Sequence, residues 1–193
     1  MRIVGGEMGG RRFNPPSKMP YTRPTTDIAK EGLFNIIQNN LDISSLKTLD
    51  LFSGTGNISY ELASRGAREL TIVEKDAAMY EFIKRTIKEF EINNIETVKM
   101  DVFKFIDQCH EKFDLIFAGP PYALTSIDDL PKQIFEKQLL NKKGWFILEH
   151  TPRNDYKKFS FYKTERNYGT TVFSIFIETR EGNESNESYK SNK

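Results

Sequence analysis

The chain has 193 residues, 38% apolar and 12% aromatic, enough to bury one real core and short enough to read as a single domain with at most a small appendage. A lone cysteine, Cys109, excludes an internal disulfide, and two separated histidines, His110 and His150, argue against zinc; no apolar run nears the roughly 18 residues of a membrane span, and MRIVGGEMGGRR lacks a signal-peptide core, so a cytoplasmic protein without metal or membrane is expected. Net charge is +1, but residues 1–30 carry six basic against two acidic side chains and residues 152–168 five against two, which fits either an anionic polymer touching both ends or plain solvated surface.

In chain order, MRIVGG and GGRRF predict a small basic hairpin within residues 1–20, and a helix follows from about Asp27 to Asn39, with Ile28, Leu33, Phe34, Ile36 and Ile37 apolar. LKTLDLF (46–52) predicts a strand, residues 56–66 a helix, and ELTIVE (69–74) a second strand. Asp76 can cap a helix over 77–92 whose stripe is Met79, Phe82, Ile83, Ile87 and Phe90. IETVKM (95–100) and FDLIFA (113–118) predict strands around a short helix at 102–109. Asp128 is placed to cap a helix that tolerates Pro131 in its first turn, and GWFILEH (144–150) is a fifth strand. KKFSFYKTER (157–166) and TTVFSIFIET (170–179), joined by NYG (167–169), predict an antiparallel hairpin in which Phe159, Phe161, Phe173 and Phe176 alternate into the core. Near-continuous apolar strands alternating with helices predict an α/β fold: a doubly wound, mostly parallel seven-stranded sheet closed by that hairpin. Residues 21–180 form the domain, and the polar run 181–193 is expected to be a disordered tail.

DLFSGTG (50–56) lies between the first strand and its helix, where open α/β sheets bind ligands beyond their carboxyl edge. Gly54 and Gly56 allow close approach of a ligand to the backbone, and the helix start after them favours anionic groups. Asp50 could accept from an ammonium, and Glu74, ending the second strand, could take both hydroxyls of a ribose. Two cofactor classes fit. A dinucleotide fingerprint would need a third small residue at Ser59, a near miss; S-adenosylmethionine has ribose and adenine without pyrophosphate, and Asp101, at the third strand's end, could meet the adenine amine. A ligand-free tight turn is the bland alternative.

FAGPPY (117–122) ends the fourth strand at the same edge. Prolines remove donors and leave carbonyls without strand partners, available to a substrate amine. A tyrosine on so stiff a corner offers a face for stacking an extruded base, though a structural turn with Tyr122 packed inside would look the same.

DLFSGTG, Glu74, Asp101 and Pro-Pro-Tyr in this order resemble class I S-adenosylmethionine-dependent methyltransferases, and Pro-Pro-Tyr resembles the Asp/Asn/Ser-Pro-Pro-Tyr/Phe motif of enzymes that methylate exocyclic base amines. RIVGGEMGGRR, TRPTTDIAKEGLFNII (22–37) and NYGTTVFSIF (167–176) narrow the resemblance, over about residues 1–180, to the bacterial 16S ribosomal RNA guanine-N2 methyltransferase family of the guanine-966 type. The resemblance implies methyl transfer to the N2 amine of a guanine in 16S rRNA, or in a small-subunit assembly intermediate, by a monomer. It implies that Asp50, Ser53, Gly54 and Gly56 line the methionine part of the cofactor, with Phe52 and Lys75 also among the cofactor-binding residues, that Arg23, Thr25 and Thr26 close that pocket and hold its carboxylate, that Glu74 takes the ribose hydroxyls, and that Asp101 and the Val102 backbone meet adenine. It further implies that Gly119, Pro120, Pro121 and Tyr122 form the catalytic corner, holding the flipped guanine, and that Arg2, Arg11 and Arg12 grip RNA. Lys157 and Lys158 extend the RNA surface unless their charge is merely solvated.

This chain departs from the motif at one position: Gly119 stands where the family has an acid. Positioning alone can supply about 7–11 kcal/mol toward an already electrophilic methyl. Losing one preorganised polar group costs on the order of 10²–10³ in rate. Gly119 therefore implies a slowed enzyme, with an impaired relative that keeps cofactor and RNA binding as the alternative. A nicotinamide-dependent oxidoreductase is opposed by Ser59 and the Pro-Pro-Tyr corner, and a DNA adenine methyltransferase by the N-terminal segment. Glu149 and His150 end the fifth strand, near the site in such a fold; His150 reads as structural rather than as a base, and Trp145 as packing.

Overall fold

A computed structural model describes residues 1–16 and 25–180. The described elements are α1 (Asp27–Asn40), β1 (Lys47–Leu51), α2 (Asn57–Ser64), β2 (Glu69–Glu74), α3 (Ala77–Glu89), β3 (Ile95–Lys99), α4 (Val102–Gln108), β4 (Phe113–Ala118), α5 (Asp129–Glu136), β5 (Leu140–His150), β6 (Tyr162–Tyr168) and β7 (Thr171–Ile177). The seven strands form one sheet in the order β3-β2-β1-β4-β5-β7-β6. β1 to β5 run parallel, and β7 pairs antiparallel with both β5 and β6. The chain reverses direction across the sheet between β1 and β4, the place where such folds open a ligand crevice.

Strand alternation sorts the core into two layers. Leu49, Leu51, Ile116, Ala118, Phe146 and Leu148 pack with Ile106 of α4 and Leu130 and Ile134 of α5. Leu115, Phe117, Ile147 and Phe173 face the other way, onto Leu33 and Phe34 of α1 and Ile58 and Leu62 of α2. The predicted strands and helices are present, most ends within three residues of those expected; the starts of β5 and β6 lie further off. α1 buries Ala29, Leu33, Phe34 and Ile37, whereas Ile28, expected on its apolar face, is 76% exposed in the first turn.

Four local expectations are corrected. Asp76 caps α3 by accepting from Met79 N, but Asp128 makes no cap bond at α5. Its backbone is already helical (φ −71°, ψ −16°), and its carboxylate instead accepts from the Tyr156 hydroxyl at 2.7 Å. The C-terminal hairpin turns at Gly169 and Thr170; Asn167 and Tyr168 belong to β6. Phe159 and Phe161 precede β6, in consecutive turns between Tyr156 and Tyr162, and pack there against Phe135; the Phe161 ring stacks on it at 4.2 Å. β5 also starts earlier than the apolar run, at Leu140.

The first thirteen residues form the predicted hairpin, with an antiparallel bridge between Arg2 and Arg12. Ile3 and Phe13 are buried against Tyr60 of α2 and Phe82 and Phe90 of α3. Beside them lies an ion-pair network at zero side-chain exposure: Lys30 Nζ is 3.3 Å from Glu61 Oε2 and donates to Asn57 Oδ1 at 2.8 Å. Glu61 also accepts from Val4 N, Gly5 N and the Arg65 guanidinium. The hairpin is thereby fastened to the second half of α2, at Glu61 and Ser64. The tail from 181 on and residues 17–24 lie outside the described residues. Among the described residues no helix is long and apolar enough to cross a membrane.

Candidate active site

β1 delivers Asp50 to the carboxyl edge, and the chain then turns through three left-handed residues, Phe52 (φ 59°), Gly54 (φ 54°) and Gly56 (φ 77°). The loop is pinned from below. Ser53 Oγ donates to the Asp50 carbonyl at 2.8 Å, and Gly54 N donates to Glu74 Oε2 at 2.8 Å. The other Glu74 oxygen accepts from Asp76 N at 2.7 Å, so one carboxylate joins the ends of β1 and β2. Gly56 begins α2, and a Cβ there would lie 2.6 Å from the Tyr60 ring. Helix entry and packing against Tyr60 both call for glycine there.

Asp50 is 2% exposed. Its Oδ2 accepts from Ser59 Oγ at 2.7 Å, while its Oδ1 is buried with no hydrogen-bond partner. Burial pushes its pKa up to about 7; the Ser59 hydrogen bond opposes this and the charge of Glu74 adds to it. An unpartnered buried carboxylate oxygen is costly, because its desolvation is uncompensated. An ammonium beside it would supply both the missing hydrogen bond and the missing charge. Ser59, which failed the dinucleotide pattern, is here the residue that orients this acid.

Across the strand switch, Gly119 N donates to the Leu51 carbonyl at 3.2 Å, which sets the Pro-Pro-Tyr corner beside the glycine loop. Asp50, Phe52, Ser53 and Gly54 on one side and Gly119, Pro120, Pro121 and Tyr122 on the other line a single cleft of about 280 Å³. Thr25, Phe117 and Glu149 complete its wall. Tyr122 is 38% exposed; its hydroxyl donates to Glu149 Oε1 at 3.3 Å and lies 3.2 Å from Thr171 Oγ1. Glu149, 5% exposed, also accepts from Thr25 Oγ1 at 2.7 Å, and burial raises its pKa against these two hydroxyl bonds.

The remaining candidates are more scattered. Thr26 caps α1 by accepting from Ala29 N and does not line the cleft. Asp101 caps α4, accepting from Phe103 N and Lys104 N, and its other oxygen is 3.8 Å from Lys75 Nζ. Val102 buries its side chain in the core. Arg23 lies outside the described residues. Arg2 pairs with Asp27 at 2.7 Å, Arg11 donates to the Phe90 carbonyl and lies over its ring, and Arg12 is exposed. Lys157 pairs with Glu165 at 3.2 Å beside β6, at the far edge of the sheet from β3, and Lys158 is exposed. His150 is fully buried, with Nδ1 2.8 Å from the Thr151 carbonyl and Nε2 2.8 Å from Ser174 Oγ, and burial lowers its pKa. It is an interior residue, out of reach of the cleft.

Reading the sequence placed Glu149 near the edge but gave it no part in the cleft, and it missed Thr55, Asn57, Ile58 and Thr171. The sequence places Glu149 at the end of a strand that reaches the same edge as Gly-Pro-Pro-Tyr, but only the β4–β5 register sets it beside Gly119.

A protein family described as conserved hypothetical protein 95 matches residues 1–177. Ribosomal RNA small subunit methyltransferase D of Escherichia coli K12 is 29% identical over 149 residues, covering 77% of this chain and 71% of that one. Among solved structures, YhhF from Escherichia coli superposes with a TM-score of 0.82 at 22% identity, over 94% of this chain and 99% of that one. An RNA methyltransferase from Salinibacter ruber in complex with S-adenosyl-L-homocysteine superposes with a TM-score of 0.64 at 16% identity, over 86% and 100%. At those identities the two structures speak for the fold, a class I methyltransferase sheet.

Proposed function

The chain belongs to the conserved hypothetical protein 95 family, and from that premise we propose that it is an S-adenosylmethionine-dependent rRNA methyltransferase acting on the exocyclic N2 amine of a guanine in the small-subunit RNA. One observation carries this reading: the Asp50 loop and the Pro-Pro-Tyr corner share one cleft. The relative named for small-subunit rRNA methylation supports the substrate class.

When bound, S-adenosylmethionine supplies an electrophilic sulfonium methyl. Asp50, with its unpartnered Oδ1, holds the amino-acid ammonium. Glu74 already spends one bond per oxygen on Gly54 N and Asp76 N, and each oxygen keeps a second acceptor site for a ribose hydroxyl. Lys75 and Asp101 stand at the adenine end. At the other end, the carbonyls of Gly119 and Pro120 accept from the target amine, and Tyr122 stacks on the extruded guanine. The cleft walls exclude water from the methyl and fix the nitrogen in line with it, so the barrier falls mainly by positioning. The hairpin of residues 1–13 serves as an RNA-gripping arm in which Arg12 is exposed for phosphate, with Lys158 exposed beside β6 as a further RNA contact. Gly119 leaves the corner without an acid of its own, which favours, as the second reading, a relative that binds but does not transfer.

The test is transfer of labelled methyl to 16S RNA, free or in small subunits, from a strain lacking the modification, followed by nucleoside digestion. N2-methylguanosine is the expected product. Label on adenosine, or none on RNA in either form, would refute the reading.

A further inference from the structure

We propose that the Glu149 carboxylate is the catalytic acceptor for the target amine, supplying from the end of β5 the group that the Gly-Pro-Pro-Tyr corner lacks. The inference deepens the methyl-transfer reading and rests on it.

The geometry is direct. β4 and β5 run parallel with Ala118 opposite Leu148, so Gly119 and Glu149 follow as neighbours one step further on. A Cβ built on Gly119 would lie 3.9 Å from Glu149 Oε2. A side chain at position 119 would therefore begin between the Phe117 ring, 3.2 Å away, and a Glu149 oxygen. Gly119 is not one of the left-handed glycines, so its backbone does not demand glycine. The absence of a side chain there keeps the approach to Glu149 open.

Only two carboxylates line the cleft among the described residues, Asp50 and Glu149. Asp50 is turned to Ser59 at the glycine-loop end. Glu149 sits at the Pro-Pro-Tyr end, held on one oxygen by Thr25 and on the other by Tyr122. Two hydroxyls fix its orientation and use about half of its acceptor sites, leaving lone pairs for a substrate N–H. Such a carboxylate is preorganised, which is what makes a polar group effective at a reacting centre. The same hydroxyl bonds also suit a purely structural clip joining the segment before α1, the corner and the hairpin, and the test below separates the two.

In the transfer, the amine nitrogen uses its lone pair to form the N–C bond while the methyl C–S bond breaks, its electron pair remaining on sulfur as a neutral thioether. The nitrogen becomes a cationic secondary ammonium. One of its protons passes along the hydrogen bond to Glu149 and from there to water. The guanine leaves methylated and neutral, and Glu149 returns to its anionic form.

The experiment compares wild type, Glu149→Met, Gly119→Asp and the double variant that combines the two substitutions. Single-turnover methylation of unmodified 16S RNA is measured with saturating S-adenosylmethionine, alongside cofactor Kd and the urea midpoint. Glu149→Met is expected to slow the step by roughly 10²–10³ with cofactor Kd within about threefold of wild type. Adding Gly119→Asp to that variant is expected to raise its rate at least about tenfold, recovering part of the loss. A second readout needs no cofactor: the Glu149 carboxyl carbon resonance, assigned by its loss in Glu149→Met, should shift with an RNA fragment carrying the target guanine. It should stay still with the same fragment carrying inosine, which lacks the N2 amine. Wild-type rate in Glu149→Met, no recovery in the double variant, or equal response to guanine and inosine would each overturn the inference while the methyltransferase reading stands. Activity confined to the variants that carry the Gly119→Asp substitution would overturn it too. No transfer by any of the four proteins would sink the methyltransferase reading itself, and the inference with it.

Discussion

Replacing Asp50 with asparagine is expected to weaken S-adenosylmethionine binding roughly 10–100-fold at pH 8, because a hydrogen bond to a charged group contributes about 1.5–3 kcal/mol. The same change should leave the ligand-free protein at least as stable as wild type. Asp50 is buried, and Oδ1 has no partner until a ligand arrives. Its folded pKa, about 7, lies above its ordinary value of 3.8. Between these pH values the folded state holds a proton that the unfolded state has released. The group's contribution to stability is therefore fully present below about pH 4 and is lost as pH rises to 7. Asparagine removes that slope and keeps an oxygen for Ser59. Affinity runs the opposite way: the ammonium needs the carboxylate ionised, so wild-type binding should be flat above pH 7 and fall about tenfold per unit below it. Calorimetric titration with S-adenosylhomocysteine from about pH 5.5 to 8.5, with urea unfolding over the same range, reads both. A pH-independent affinity together with a destabilised variant would mean that Asp50 is a structural acid.

The second large effect lies away from the cleft. Glu61→Gln is expected to cost about 3–5 kcal/mol of unfolding free energy, the penalty for breaking a buried ion pair from one side. Lys30 and Glu61 both have zero side-chain exposure, and Glu61 also accepts from Val4 N, Gly5 N and Arg65. Glutamine would leave the Lys30 ammonium uncompensated and would turn its NH2 toward one of the two backbone donors, Val4 N or Gly5 N. The hairpin should loosen first, so amide exchange at Val4 and Gly5 should quicken more than at Leu49 in β1. Lys30→Met in the Glu61→Gln background should regain part of the loss, since the uncompensated charge is then gone. Equal stability of Glu61→Gln and wild type by urea unfolding would show that the hairpin is held by Ile3 and Phe13 alone.

Much of this architecture is legible in the residues because local and global signals agree. FDLIFA and ELTIVE are largely apolar along both faces, as strands covered by helices must be, and the 77–92 stripe has an unbroken helical period. The errors fall where tertiary packing overrides local chemistry. Asp128 looks like a cap by residue type, yet the Tyr156 hydroxyl, distant in sequence, claims its carboxylate. Phe159 and Phe161 look like alternate strand positions, but stacking on Phe135 draws them into turns. In the cleft, DLFSGTG and GPPY announce a site because glycine and proline mark unusual backbone. Glu149 does not announce itself: nothing in GWFILEH distinguishes a strand-end glutamate from a solvated one. Its role becomes visible only once the register of β4 against β5 sets it beside Gly119. The Lys30–Glu61 pair is equally silent, since both letters read as surface charge until α1, α2 and the hairpin meet.

The central claim is that cofactor and target amine meet in the one cleft between the Asp50 loop and the Gly119–Tyr122 corner. A crystal structure of the protein with S-adenosylhomocysteine tests it most directly. The ligand ammonium should lie within hydrogen-bond distance of Asp50 Oδ1, the ribose hydroxyls should reach Glu74, and the sulfur should face the corner where Glu149 and Tyr122 converge. A ligand bound outside that cleft, or seated with its sulfur turned away from Gly119, would contradict the account.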